Sequence, residues 1–148
     1  MMGKRLVLAG LGLLLAVTVR AGEPEVQYHA SDPDLQLPFS DAVRVGDMLY
    51  LSGQIGILPG STQLAEGGIA GETRQTMENI KASLEKYGSS MDRVVKCTVF
   101  LADIGEWAAM NEVYRAYFPA NPPARSALGA SGLALGARVE IECLATVR

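Results

Sequence analysis

The sequence predicts an α+β domain in which two helices pack on one face of a mixed β-sheet. Two observations support this fold class. Short runs rich in β-branched residues and bounded by turn residues are typical of strands, while two longer segments repeat apolar residues at three- and four-residue steps, as amphipathic helices do. The order is strand, strand, helix, strand, helix, short strand and final strand. A chain of 148 residues suits one such domain.

The N-terminal segment differs from the rest of the chain. Lys4 and Arg5 precede an uncharged apolar run over 6–19, and small residues stand at the −3 and −1 positions before Gly22. Because this run is too short to span a bilayer comfortably, it predicts a cleaved signal peptide over 1–21. The mature protein is then periplasmic or secreted and free of the membrane, and a retained membrane anchor is the alternative.

Charge and composition disfavour two kinds of partner. The chain has 13 basic and 16 acidic residues, and residues 1–21 contain three of the basic residues and no acidic one. The mature chain would keep ten basic and sixteen acidic residues, a net charge of −6, which repels nucleic-acid phosphates. The lone histidine, His29, lies in a polar arm and is interpreted as solvated, so neither a metal nor another cofactor is expected.

The segments before the first helix predict an arm, a hairpin and a loop. Residues 22–37 mix prolines with acids and are predicted to form an arm leading into the domain over 38–148. The run 41–56 predicts two strands joined at Gly46–Asp47, which is a two-residue hairpin turn signal. The glycine-rich segment 60–68 is predicted to be a loop.

Two helices follow from the apolar periodicity. The first covers 69–87 and stops at Gly88. The second begins at Asp103, which can cap it in a capping box with Glu106, and it ends at Pro119. Its apolar stripe consists of Met110, Val113, Tyr114, Tyr117 and Phe118.

Two longer strands complete the predicted sheet. The β-branched run 93–103 predicts a buried strand, and strict alternation predicts the final strand over 138–147. Cys97 and Cys143 lie in these runs. They are interpreted first as small buried apolar residues and second as a disulfide, which an exported compartment permits.

The two faces of the predicted sheet have different surroundings. Alternation in the final strand places three charged side chains on one face, Arg138, Glu140 and Glu142, which form either a solvated face or one side of a cleft. On the side away from the helices, apolar groups such as Leu49 or Met48 need a cover. A homo-oligomer is the economical cover.

Arg125 is the most informative single residue. It stands in the stretch PPARSALGA over 122–130, which contains no acidic residue, and two prolines stiffen the chain that leads to it. A rigidly held guanidinium suits bidentate binding of a carboxylate, and an ordinary surface arginine is the alternative. Ser52 and Gly53 end the second strand, and Asn111 lies beside the apolar stripe of the second helix.

Several ordered stretches together resemble the Rid family, the YjgF and endoribonuclease L-PSP-like proteins, which are enamine and imine deaminases. The stretches span 38–148 and read PFSDAVRVGDMLYLSGQIG, TRQTMENIKASLEKYGSSMDRVVKCTVFLAD, MNEVYRAYF, PPARSALGA and VEIECLA. The resemblance implies a chorismate mutase-like fold and a homotrimer whose sheets line a central barrel. It places the active sites in the clefts between subunits.

The resemblance also implies a site and a reaction. Arg125 would bind the substrate carboxylate, and Glu142 would position water and transfer a proton. The substrate-binding positions would be Phe39, Ser52, Gly53, Asn111, Tyr114 and the backbone N–H of Ala127. The implied reaction hydrolyses a 2-imino or 2-enamino acid, such as 2-aminoacrylate, to a 2-keto acid and ammonia, without a cofactor.

Two positions depart from the family pattern. Phe39 stands where the family commonly has tyrosine, and Ala127 stands where it often has cysteine. The missing hydroxyl at Phe39 removes a polar contact to substrate or water. Two alternative functions therefore accompany the deaminase: a module that binds a small carboxylate without turnover, and a ribonuclease, which the acidity of the mature chain disfavours.

Overall fold

The structure, a computed structural model, describes residues 22–30 and 37–147. The predicted signal peptide over 1–21 lies outside the described residues. Within them, no helix combines the length and the apolar character needed to cross a membrane.

A seven-stranded mixed sheet forms the body of the domain, as predicted. Its strands follow the order β1-β2-β3-β7-β5-β6, and β4 also pairs with β7. All pairings are antiparallel except the parallel pairing of β5 with β6. The strands are β1 Val26–His29, β2 Ala42–Val45, β3 Met48–Leu51, β4 Gln54–Ile55, β5 Val94–Leu101, β6 Ala124–Gly129 and β7 Val139–Thr146.

The segment predicted as an arm contributes an edge strand. Within 22–37, β1 pairs with β2, and His29 stacks on Tyr87, with the ring centroids 4.6 Å apart. The predicted hairpin forms as β2 and β3, and Gly46 adopts a φ of 56° at the turn. That conformation favours glycine, which explains the turn signal.

Two helices pack on one face of the sheet, in agreement with the prediction. Helix α1 covers Gly68–Lys86, and Gly88 follows its end with a φ of 81°. Helix α2 covers Trp107–Tyr114, with single 3₁₀ turns before it and after it. It is therefore shorter than the predicted helix, which was expected to run from Asp103 to Pro119.

The predicted capping box at the start of the second helix is wrong. The Asp103 carboxylate accepts a hydrogen bond from the Gly105 N–H at 2.8 Å and so caps the 3₁₀ turn. Glu106 does not complete a box, because its carboxylate pairs with the guanidinium of Arg138. The Glu106 carboxylate therefore binds Arg138, which immediately precedes β7, in place of the Asp103 backbone N–H that a capping box would use.

The core lies between the helices and the face of the sheet that we call the core face. In β7 the predicted alternation is confirmed: Val139, Ile141, Cys143 and Ala145 are fully buried there. From α1, Met77, Ile80 and Leu84 are fully buried against them. Burial of each such large side chain contributes on the order of 1.5–3 kcal/mol. Leu49 also belongs to this core, so of the two residues expected on the uncovered side only Met48 is partly exposed.

Cys97 and Cys143 lie directly opposite each other on β5 and β7 and form a disulfide. Both are fully buried, so the interpretation as buried residues is confirmed, and the second interpretation, a disulfide, is also realised. The bond closes a loop of 46 residues, for which the chain-entropy account gives about 4 kcal/mol of stabilisation.

Candidate active site

Arg125 is held in place by groups on α2. Its Nη1 donates a hydrogen bond of 2.6 Å to the Asn111 side-chain carbonyl. Its guanidinium carbon lies 4.7 Å from the centre of the Tyr114 ring and 5.8 Å from that of Trp107. Both distances are in the range of cation–π attraction. The structure thus brings together three predicted site residues, Asn111, Tyr114 and Arg125, and orients the guanidinium without an acidic partner among residues 22–30 and 37–147.

A pocket of about 420 Å³ opens beside this guanidinium. Its walls are largely apolar, and the residues that line it are Asn111, Tyr114, Arg115, Phe118, Pro122, Pro123 and Arg125. Arg115 is ion-paired with Glu112 at 3.0 Å, so Arg125 is the lining group that suits an anion, and the apolar walls suit an apolar body on that anion.

Tyr114 lies beneath the guanidinium, and its phenol is buried. Burial raises the pKa of Tyr114 to about 12, and the positive charge of Arg125 opposes that rise. Its hydroxyl has no hydrogen-bond partner among the described residues. The phenol therefore remains a neutral donor at physiological pH.

Ser52 and Gly53 form a second part of the site, between β3 and β4. The Ser52 hydroxyl donates to the Ser40 carbonyl at 2.6 Å, which ties this strand end to the residue after Phe39. Gly53 approaches Glu140 so closely that a Cβ at Gly53 would lie 2.0 Å from the Glu140 Oε1. A side chain at position 53 would therefore displace this carboxylate from its present position, and glycine allows the close approach.

Glu140 is thus a candidate site residue that the sequence analysis did not select. Both glutamates face β5, Glu140 opposite Phe100 and Glu142 opposite Thr98, and Glu140 also lies opposite Ile55 of β4. The carboxylate in contact with Gly53 is that of Glu140. Alternation shows only that both glutamates share a face, and the close approach of the Glu140 side chain to Gly53 distinguishes them.

The sheet separates Arg125 from both glutamates within one chain. Adjacent residues of a strand point to opposite faces, and on β5 Cys97 is buried in the core while Thr98 is not. Arg125 is the register partner of Cys97, and Glu142 is that of Thr98. Arg125 therefore lies on the core face, beyond the edge of the core, whereas Glu142 and Glu140 lie on the other side. We call that side the open face; it also carries Tyr50, Phe100, Ser126, Leu128 and Leu144.

The two positions that depart from the family pattern lie in different surroundings. Phe39 is exposed over 57% of its surface and is followed by the residue that binds the Ser52 hydroxyl. Ala127 lies opposite Val99 on the core face and packs against the core. It stands two residues beyond Arg125 on the same strand and face.

Trp107 is the second site residue that the sequence analysis missed. It is the only tryptophan of the chain, and it stands four residues before Asn111, one helical turn away. That spacing places the Trp107 and Asn111 side chains on one face of α2. The same spacing in the sequence could have identified Trp107 as a neighbour of the predicted site residue Asn111. No group of histidine, cysteine, aspartate and glutamate among the described residues could hold a metal ion.

The fold and this site define a class of protein. The chain matches the family described as Endoribonuclease L-PSP over residues 29–147. The chain belongs to this family, which is the Rid family that its sequence motifs resemble.

Individual relatives share much of the chain. It is 43% identical to Protein DfrA of Myxococcus xanthus over 110 residues. This matched region covers 73% of this chain and 84% of that protein. The chain is 45% identical over 108 residues to the human 2-iminobutanoate/2-iminopropanoate deaminase, covering 73% and 79% of the two chains. The crystal structure of YEO7 of yeast superposes with a TM-score of 0.77 at 40% identity and covers 84% of this chain and 100% of the yeast chain.

Proposed function

We propose that this protein is a deaminase that hydrolyses 2-imino and 2-enamino acids to 2-keto acids and ammonia. The observation that carries the proposal is the guanidinium of Arg125, which Asn111 and two aromatic rings orient and which no carboxylate in the described part of the chain neutralises. A relative at 45% identity bears the name of this activity, which supports the same reaction here.

The reaction needs a carboxylate anchor and a proton-transfer group. Arg125 holds the substrate carboxylate with the N–H groups that Asn111 leaves free. Water adds to the C=N carbon, and a glutamate moves a proton from the added water to the nitrogen. The resulting carbinolamine then passes its hydroxyl proton through the same glutamate to the amino group, the C–N bond breaks to release ammonia, and the C–O bond becomes the keto C=O. Because the substrate is fixed beside the proton-transfer group, positioning supplies much of the rate gain.

Two glutamates are candidates for the proton-transfer role. Glu142 was predicted from the family motif and stays a prediction. The contact of Glu140 with Gly53 favours Glu140, because Ser52 and Gly53 are themselves predicted substrate-binding residues. We therefore assign the proton transfer to Glu140 and use Glu142 as its matched comparison.

We propose a homotrimer with the active site between subunits. The sheet keeps Arg125 and Glu140 on opposite faces of one chain, so a second copy must supply one of them. The open face also exposes large apolar side chains, with Tyr50 and Leu128 each 44% accessible, and a neighbouring subunit would cover them. Light scattering of the mature chain should give three times the monomer mass, and a stable monomer would contradict both the assembly and the shared site.

We propose that the mature protein is exported to the periplasm or secreted. The buried disulfide supports an oxidising compartment, since cytosolic proteins seldom keep structural disulfides. The intact mass of the exported protein should begin at Gly22. An uncut chain recovered from the cytoplasm would contradict the export and the cleavage together.

One experiment separates the deaminase from the binding module, the alternative that the missing hydroxyl of Phe39 favours. An amino-acid oxidase generates 2-iminopropanoate in situ, and semicarbazide trapping measures how much imine remains with the mature protein present. Pyruvate binding is measured in parallel by calorimetry. A deaminase shortens the lifetime of the imine in proportion to protein concentration. If the protein binds pyruvate but does not accelerate imine hydrolysis, the deaminase is contradicted and the binding module is supported.

A further inference from the structure

We propose that Trp107 determines substrate specificity, by receiving the side chain of the imino acid on its ring. The preferred substrates are then 2-imino acids with branched or aromatic side chains, rather than those with a methyl group. This inference rests on the proposed function, because it assumes that Arg125 holds the substrate carboxylate.

The exposure of Trp107 is the first step of the argument. Two rings flank the guanidinium of Arg125, but Tyr114 is only 5% exposed whereas Trp107 is 45% exposed. Tyr114 therefore offers a ligand much less surface than Trp107 does. Trp107 presents a large apolar surface beside the anchor, where a ligand can cover it.

Distance is the second step. The Trp107 ring centre lies 5.8 Å from the guanidinium carbon of Arg125. A carboxylate bound to this fork lies about 2.8 Å from its nitrogens. The imine carbon is bonded to that carboxylate and the side chain begins at the next atom, so a branched or aromatic side chain is long enough to reach the ring while a methyl group is too short to cover it.

The neighbouring surface extends the same apolar wall. Ile104, three residues before Trp107, is 53% exposed, and it lies over Gly129, where an added Cβ would be 3.4 Å from the Ile104 Cβ. Gly129 shares the core face of β6 with Arg125, four residues further on. Trp107 and Ile104 therefore line the edge of the strand that carries the anchor, which suits an apolar side chain and not a second charge.

The single tryptophan makes the contact directly measurable. Tryptophan fluorescence of the mature protein is titrated with 4-methyl-2-oxopentanoate and with pyruvate, the product analogues of a branched and a methyl substrate. We expect the branched keto acid to change the emission and to bind at least about tenfold more tightly, as one or more added methylenes achieve in an apolar pocket. Binding without a change in emission, or equal affinities, would overturn the proposal.

Kinetics of variants separate specificity from orientation of the arginine. With imines made in situ from leucine, phenylalanine and alanine, Trp107→Ala should lower the preference for the larger imines at least about tenfold, and Trp107→Phe should lower it less. An equal loss for all three imines would mean that the ring only orients Arg125, and it would sink the proposal. The matched control is Tyr28→Ala, which removes an exposed aromatic ring from β1. This strand lies at the opposite edge of the sheet from β6, which carries Arg125.

The two proposals fail in different ways. If wild type accelerates no imine but keeps the fluorescence response and the affinity ratio, the deaminase reading fails and the recognition by Trp107 stands. If it accelerates all three imines equally, the deaminase stands and the role of Trp107 falls. Should Trp107→Ala not fold, Trp107→Phe and the wild-type titration still decide the question.

Discussion

The two halves of the candidate site differ in how completely one chain builds them. On the α2 side, Arg125 has its orienting partners and an adjoining pocket within the same chain. On the β4 side, Glu140 lies against Gly53 but faces away from that pocket, on the open face. In the proposed mechanism one half binds the substrate and the other transfers protons, and the thickness of the sheet separates them. Recognition can therefore exist in a single subunit, whereas the proposed catalysis needs an assembled protein.

The largest expected effect comes from removing the proton-transfer group. Glu140→Gln keeps the shape of the side chain but cannot exchange a proton, so kcat should fall by about 10²–10⁴-fold. Binding of 2-keto acids should change little, because Arg125 is untouched. Glu142→Gln is the matched control on the same strand and face. The assignment reverses if Glu142→Gln loses turnover and Glu140→Gln does not.

The separation of the halves can be tested by complementation. In the proposed homotrimer, Arg125→Ala and Glu140→Gln should each be inactive. When the two variants are coexpressed, mixed trimers contain some clefts with an intact Arg125 from one subunit and an intact Glu140 from another. Imine hydrolysis should therefore reappear in the purified mixed trimers. A mixture that forms mixed trimers by mass spectrometry and stays inactive would place both residues in one subunit's site.

Weakening the anchor should have a smaller effect. Arg125→Lys keeps the charge but loses the two-pronged geometry and the planar contact with the rings. Losing a charge-assisted hydrogen bond costs about 1.5–3 kcal/mol, so keto-acid affinity should fall roughly ten- to a hundredfold. Calorimetry with pyruvate measures this change, and kcat/KM should fall with it. Unchanged affinity would show that the carboxylate is bound elsewhere.

Restoring the hydroxyl at position 39 should have a modest effect. Phe39→Tyr adds one hydrogen-bonding group beside the Ser40–Ser52 contact, which corresponds to about 0.5–1.5 kcal/mol. The expected result is a rise in turnover, or a shift in preference among imines, of no more than about tenfold. Because Phe39 is largely exposed, the thermal midpoint should not change. Identical kinetics for both forms across several imines would show that this position is neutral.

Ribonuclease activity should be absent, despite the family description. The proposed mature chain carries more acidic than basic residues and therefore repels a phosphate backbone. Radiolabelled RNA incubated with the mature protein at low salt should remain intact, and the measurement has Arg125→Ala and Glu140→Gln as controls. Cleavage by wild type that both substitutions abolish would contradict this prediction.

The sequence was most informative where a local pattern determines the structure. Alternation assigned both faces of β7, and the Gly46–Asp47 signal located the hairpin, because side-chain direction and turn conformation depend on near neighbours. The capping box failed because Glu106 pairs with Arg138, which is distant in sequence.

The candidate site shows the same division. The binding half was predicted from Arg125 and Asn111, which a family motif marks. The contact of Glu140 with Gly53 depends on how the two-residue β4 pairs with β7, and no periodicity encodes that register. Trp107 was missed because an aromatic residue at the start of a helix is usually interpreted as packing. Its exposure beside Arg125 becomes visible only in three dimensions.

The bond between Cys97 and Cys143 bears on how long the protein lasts. In the proposed exported protein, the working life depends on how rarely the chain opens to proteases. The disulfide joins β5, the strand that pairs with β6, to β7, the strand that carries both glutamates. Because both cysteines are buried, reductants cannot reach the bond until the core opens. Such a covalent tie limits how far the chain can separate during a brief opening. We therefore expect protein that is reduced in denaturant and then refolded to be digested much faster by a protease than the disulfide-bonded protein. The active fold itself should change far less.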